Sequence, residues 1–238
     1  MSESISLGII VPFYNEEKFL EKSVSRLLKL QIVDQIVLVD DCSSDNSYSI
    51  AENFVKNNNK ILLTKTLINE GKGSAVNTGL NLISTSHVIV HDADLEYFPE
   101  DIPEMYEKIS PKKDSLILGS RTIGNKKRKN IYFYTYFGNK VLTLLFSILN
   151  NYKVSDIASC YWLVKVDTLK KINLSEKGFA IEVEVLSKFL RNKIEIIEVP
   201  IRYEARSYEE GKKIKFDDGI KICIKILKYC KLNILNKF

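Results

Sequence analysis

Apolar residues along this chain fall in short unbroken runs, separated by longer stretches where they recur every third or fourth place. Residues 7–12, 35–40, 60–66, 87–92 and 115–120 each hold an unbroken run of at least three large apolar residues. That is the pattern of parallel strands covered on both faces, not of strands with one wet face. Between them, residues 16–30, 45–57, 73–83 and 99–109 read as helices. Leu20, Val24, Leu27 and Leu28 lie at helical spacing, and Ser44 or Asp45 stands where a helix cap is needed. Alternation of strand and helix predicts an α/β sandwich with a mostly parallel central sheet.

After about residue 122 the rhythm changes. A basic loop leads into an aromatic-rich segment, residues 131–152, and then a further strand over 156–165. A helix over 181–191, a strand over 195–203, a polar loop and a final helix complete the pattern. No repeat or low-complexity linker interrupts it, so residues 1–238 are expected to form one domain, with residues 1–122 and 123–238 as its two halves.

Composition narrows the class. The 238 residues are 45% hydrophobic and 27% charged, with a net charge of +5, the balance of a globular protein. Four cysteines without CxxC spacing and two histidines argue against a zinc site or a disulfide framework. No leader pattern opens the sequence and no run of 18 apolar residues occurs, so a cytoplasmic chain without a membrane span is expected. The lysines crowd residues 124–130 and the C-terminal tail, which calls for an anionic partner near both places. The clusters are too small to suggest nucleic-acid binding.

The candidate chemistry sits where strands end. The run ending at Val90 leads directly to Asp92, Asp94 and Glu96, and two more strand ends carry "PFYNEE" (residues 12–17) and "VDDCSSD" (39–45). Ligands of open α/β sheets bind beyond the carboxyl ends of the strands. Converging carboxylates repel one another unless a cation intervenes, and oxygen donors select Mg²⁺ or Mn²⁺. If the strand ran on unbroken, Asp92 and Asp94 would face one side. A calcium loop would need glycine where Tyr97 stands, a dinucleotide site needs GxGxxG after the first strand, and "NEGKGSAVNTG" is not a phosphate-binding P-loop. A metal–diphosphate site survives these exclusions. His91, flanking the carboxylates, should point to the opposite face and pack.

"VPFYNEE", "VDDCSSDNS", "NEGKGSAVNTG", "DADLEYFPED" and "GSR" occur in an order and spacing that resembles the inverting nucleotide-sugar glycosyltransferases of family 2. The similarity spans residues 5–227 and lies nearest the dolichol-phosphate mannose synthase group and its bacterial polyprenyl-phosphate relatives. The resemblance implies a GT-A fold, a nucleotide-binding α/β sandwich, with residues 1–238 as one catalytic domain, 1–122 its nucleotide-sugar-binding half and 123–238 its acceptor- and membrane-facing half. It implies that Pro12, Tyr14, Glu16, Val39 and Asp41 contact the base and ribose of a UDP- or GDP-sugar. Asp92, Ala93 and Asp94 match the diphosphate and metal segment, and Glu96 falls where a glutamine metal ligand is frequent. Arg121 matches a phosphate-contacting arginine, and Arg206 with Lys212 a basic pair closing over the diphosphates. The same spacing in that pair also fits a solvated charge run, and Lys72 fits either a phosphate contact or a solvent-facing helix start.

The implied reaction moves a hexose to a polyprenyl phosphate, dolichyl or undecaprenyl, in one inverting displacement aided by Mg²⁺ or Mn²⁺. A phosphate acceptor needs no general base, because its oxygen is already anionic near neutral pH. A hydroxyl acceptor needs one, and Asp156 is the candidate, with a strand-start cap as its other reading. A silent sugar-nucleotide-binding scaffold is the third reading. The aromatic segment and the lysine-rich tail suit peripheral contact with the cytoplasmic face of an anionic membrane; core packing is the other reading of both. In the tail, Lys221, Lys225 and Lys228 share one helical face and Ile220, Cys223, Ile224 and Leu227 another. The chain departs from the family pattern at "CYWLVK", at Glu96, at Cys42 where glycine is common, and in carrying no appended transmembrane pair.

Overall fold

The computed structural model describes residues 5–129, 132–207, 209, 211, 213 and 216–230. The chain runs β1 (Leu7–Phe13), α1 (Leu20–Leu27), β2 (Val33–Asp40), α2 (Ser47–Asn57), β3 (Ile61–Lys65), α3 (Lys72–Leu80) and β4 (His87–Val90). A short 3₁₀ turn (Pro99–Asp101) leads into α4 (Ile102–Tyr106). Then follow β5 (Ser115–Ser120), β6 (Arg128–Lys129), α5 (Phe133–Asn150), β7 (Trp162–Lys165) and α6 (Val166–Lys171). The last elements are α7 (Ile181–Arg191), β8 (Glu195–Pro200), β9 (Tyr203–Glu204) and α8 (Phe216–Tyr229).

Seven strands form one sheet in the order β3-β2-β1-β4-β7-β5-β8, and β6 pairs with β9 beside it. All neighbours in the large sheet are parallel except β7, which runs antiparallel to β4 and β5. From β1 the chain winds outward through β2 and β3, then returns to place β4 on β1's other side. That reversal opens the crevice where ligands bind in such sheets, so the ends of β1 and β4 meet there.

Alternating strand residues feed two cores. Leu7, Ile9, Val11 and Phe13 of β1 pack with Leu20, Val24 and Leu27 of α1 and with Ala51, Ile102 and Met105. On the other face Ile10 joins Val37, Val39, Val88 and Val90 under α3, α5, α7 and α8. Strands β7 and β8, from the second half of the chain, complete the same sheet.

Several elements are shorter than their patterns suggest. Helix α1 begins at Leu20 because residues 16–19 form a turn in which the Phe19 and Leu20 amides both donate to the Glu16 carbonyl. The strand expected over 156–165 is only four residues, since 156–161 turn to place Asp156. Pro200 closes β8 without disrupting the sheet, because β8 is an edge strand.

Candidate active site

A cavity of about 380 Å³ opens at the crevice between the ends of β1 and β4. Pro12, Tyr14, Glu16, Asp41, Asp92, Ala93, Asp94, Glu96, Arg121 and Arg206 all line it. Val39 does not. It is fully buried in the core beneath α3, where a side chain at Gly79 would strike it. Lys212 lies outside the described residues.

Strand β4 stops at Val90, so Asp92 and Asp94 sit on a turn and not on an extended strand. Leu95 takes a left-handed conformation at φ 62°, and the Glu96 amide donates to Asp94 Oδ1 at 3.1 Å. The two aspartates therefore find different partners. Asp92 lies 2.8 Å from Lys72 Nζ, which also sits 2.8 Å from Glu182 Oε1. Burial pushes the Asp92 carboxyl up, but the charge and hydrogen bond of Lys72 outweigh it and hold the group below its usual range. Lys72, at the first turn of α3, is thus neither solvent-facing nor free.

Asp94 faces a different balance. Its nearest cation among the described residues is the Arg206 guanidinium, 3.4 Å from Oδ2. Burial, then the charges of Glu96 and Asp92, outweigh that arginine and lift the carboxyl to about 7. This unmet negative charge is what a divalent cation would relieve. Glu96 is engaged by protein donors: one oxygen accepts the Arg206 amide at 3.0 Å and the other the Tyr203 hydroxyl at 2.5 Å. Among the described residues no three histidine, cysteine or acidic side chains converge as a metal cage. The donor set fits Mg²⁺ or Mn²⁺ held by one or two carboxylates together with phosphate oxygens.

Two arginines border the cavity. Arg206 forks onto Glu16, with both guanidinium nitrogens 2.9 Å from its oxygens, and Lys213 reaches the same carboxylate and the Tyr14 carbonyl. Arg121 forks onto Asp156 through two bonds of 2.7 Å, and its guanidinium lies 4.8 Å from the Tyr203 ring centre. Asp156 is fully buried and also accepts from the Arg121 amide and from Asn139. It is the counter-ion of Arg121, not an available base and not a strand cap. Burial would raise its carboxyl; Arg121 pulls it below the usual value.

Asp41 is turned toward the next loop, accepting from the Glu70 and Gly71 amides and the Thr66 hydroxyl. Gly71 there needs φ 101°, and a side chain at Gly73 would come within 2.1 Å of the Glu176 carbonyl. This close approach brings Gly178 and Phe179 to the cavity wall. His91 packs as expected, buried between the Ser23 and Tyr161 hydroxyls at 2.9 and 2.7 Å. Burial lowers it to about 4.

Glu182, Lys213, Tyr97 and Tyr203 were not singled out from the sequence, yet all line the cavity. Glu182 carried a signal: two acids, Glu182 and Glu184, interrupt the otherwise apolar first half of α7 and are both buried. Glu184 accounts for its burial structurally, accepting the Ser175 and Glu176 amides.

Comparison with known proteins shows the family and the fold. The model of glycosyl transferase family 2 matches residues 8–172. A UDP-N-acetylglucosamine–dolichyl-phosphate N-acetylglucosaminyltransferase of Methanococcus voltae is 32% identical, covering 92% of this chain and 94% of that protein. The dolichol-phosphate mannosyltransferase of Pyrococcus furiosus is 29% identical over 87% of this chain and 59% of its own length. The fold matches glucosyl-3-phosphoglycerate synthase of Mycobacterium tuberculosis, solved with Mn²⁺, UDP and phosphoglyceric acid. That match has a TM-score of 0.77 at 15% identity, covering 96% of this chain and 79% of the other.

Proposed function

The chain belongs to glycosyl transferase family 2, and on that premise we propose that it transfers a hexose from a UDP- or GDP-sugar to a polyprenyl phosphate. The observation that carries this reading is the convergence of carboxylates and cations on one cavity at the ends of β1 and β4. Asp94 has unmet negative charge, while Lys72, Arg121, Arg206 and Lys213 line the same walls. An anionic diphosphate joined to a divalent cation is complementary to such a surface. UDP with Mn²⁺ or Mg²⁺ is bound by solved structures of the same fold, and dolichyl phosphate is named as a substrate of the Methanococcus voltae relative.

Asp94, with Asp92, would hold the metal, which when bound offsets charge growing on the departing nucleoside diphosphate. Arg121 and Arg206 would contact phosphate oxygens, Arg206 by exchanging part of its fork on Glu16. Tyr14 and Asp41 bound the base and ribose end. The acceptor oxygen attacks the anomeric carbon from the face opposite the leaving phosphate; one C–O bond forms as the other breaks, and the configuration inverts. A phosphate monoester brings an oxygen already ionised, so no side chain need accept a proton. The reaction is assigned to the cytoplasmic face of a membrane, with the protein bound peripherally. Among the described residues no helix is long and apolar enough to cross one.

A hydroxyl acceptor is the second reading, and Glu182 favours it. This carboxylate lines the cavity, and burial raises it against the pull of Lys72, as befits a general base. Incubation with Mn²⁺, a panel of UDP- and GDP-sugars and either polyprenyl phosphate or free glycans separates the two by mass spectrometry of the products. A glycosylated lipid phosphate, lost in Asp94→Ala, supports the first reading. Sugar transfer to a glycan alone, abolished by Glu182→Gln, replaces it with the second.

A further inference from the structure

A second cavity, of about 520 Å³, opens at the edge of the sheet opposite the catalytic crevice. It forms where one face of the sheet outruns its cover. Side chains alternate along a strand, and His87 pairs with Lys165 while Leu163 pairs with both Ile89 and Ile117. Those residues, with Ser115 two places before Ile117, therefore share a face. Ile89, Leu163 and Ile117 are buried in the core that includes α1 and α4. One step further out, His87, Lys165 and Ser115 meet only the turn at 109–114, across open space. Strand β4 rises about 3.3 Å per residue, so His87 lies on the order of 15 Å from Asp92.

The polar groups of this cavity are mostly cationic. Lys165 stands directly opposite His87 on the neighbouring strand, an arrangement of like charges that costs stability unless an anion lies between them. Neither Lys165 nor Lys112 has an ion-pair partner among the described residues, while Lys113 lies 2.9 Å from Glu195. The acid lining the cavity, Asp114, accepts the Thr168 hydroxyl at 2.6 Å. The Ser86 hydroxyl donates to the Ser6 carbonyl at 3.0 Å and lies 3.0 Å from His87 Nδ1. That engages Nδ1 and leaves Nε2 without a partner among the described residues. Burial and then Lys165 lower the His87 imidazole, with Asp114 pulling the other way. Beneath these groups the walls are apolar, from Ile5, Ile109, Pro111, Ile117 and Leu163.

We propose that this cavity is a second ligand site, which takes a phosphate monoester with an apolar body. The phosphate would sit between His87 and Lys165, with Lys112 at the rim, and the body would lie on the apolar floor. A monoester is mostly dianionic at neutral pH, which matches a lysine beside an imidazole able to take up a proton. A cavity of this size, apolar with a few convergent polar groups, has the form of a small-molecule site. Nothing in the catalytic crevice contributes to it, so the site stands apart from the sugar-transfer reaction.

NMR titration of the His87 C2–H signal tests it, at constant ionic strength, with inorganic phosphate and phenyl phosphate as probes. The chain has two histidines, and the other, His91, is buried against Ser23 and Tyr161, so the two signals are readily told apart. Saturating phenyl phosphate should raise the His87 midpoint by about 1 pH unit, because an adjacent dianion favours the imidazolium. It should bind at least about tenfold more tightly than inorganic phosphate, through its ring. Lys165→Met should raise the midpoint of the free protein, since Lys165 depresses it, and weaken phenyl phosphate at least about tenfold. Lys165→Arg, which keeps the charge, should retain binding. The proposal is overturned if neither phosphate moves the midpoint, or if Lys165→Met, folded by circular dichroism, responds as the wild type does. Inorganic phosphate binding as tightly as the phenyl ester would also overturn it.

Discussion

Replacing Asp156 by asparagine strips the charge from the partner of Arg121 while keeping its shape. The arginine side chain is 9% exposed and the aspartate not at all, so solvent cannot take over the lost interaction. Removing one member of a buried pair typically costs about 3–5 kcal/mol. The stacked Tyr203 ring still offers Arg121 about 1 kcal/mol, and the asparagine carbonyl still accepts one bond, so the lower end, about 3 kcal/mol, is expected. For a chain of this length that is a fall in thermal midpoint of about 6–12 °C. Urea denaturation followed by circular dichroism gives the free energy, and Arg121→Met with the double variant completes the cycle. The double variant should be more stable than the sum of the singles implies. The pH dependence has a definite sign. Arg121 outweighs burial and holds the Asp156 carboxyl below its ordinary 3.8. Its contribution is therefore fully present above that value and is lost as pH falls through the lower folded value. The gap between wild type and Asp156→Asn should stay constant from neutral pH to about 4 and close below it. A loss under about 1 kcal/mol at neutral pH would refute the pairing as a source of stability.

Lys72→Met leaves Asp92 and Glu182 without their shared cation; the donor KM should rise at least about tenfold. Adding Glu182→Gln should restore stability but not donor affinity, which unfolding and initial-rate measurements check. Because a metal competes with the proton that burial and neighbouring acids hold on Asp94 up to about 7, apparent Mn²⁺ affinity should climb with pH below 7 and level off above. Asp94→Asn should weaken binding and flatten that profile, as read by calorimetry. Gly73→Ala drives a methyl to within 2.1 Å of the Glu176 carbonyl. It should cost about 1–3 kcal/mol and raise the donor KM by displacing the loop that carries Phe179.

Much of this architecture was legible because parallel strands advertise themselves. β1, β2, β4 and β5 are apolar on both faces and fall within about two residues of their runs. Helix α5 was also readable as an aromatic segment, though only the packing of Thr143, Phe146 and Asn150 shows which side stays wet. What the sequence hid were pairings across long separations. Nothing local to Asp156 marks Arg121, 35 residues away, as its partner, and nothing near Glu182 points back to Lys72. The alternation argument for Asp92 and Asp94 failed for a local reason: the strand stops at Val90, so their partners are set by a turn. Val39 is the reverse case, a position matched by a motif whose side chain is buried in the core.

The central claim is that this cavity binds a nucleoside diphosphate through a divalent cation held by Asp94. Isothermal titration of UDP and GDP into the protein with and without Mn²⁺, repeated with Asp94→Ala, tests it most directly. The account predicts saturable binding of one nucleotide that weakens at least about tenfold without metal or with the variant. Binding of either nucleotide that is indifferent to both metal and Asp94, or no binding of either, would contradict it.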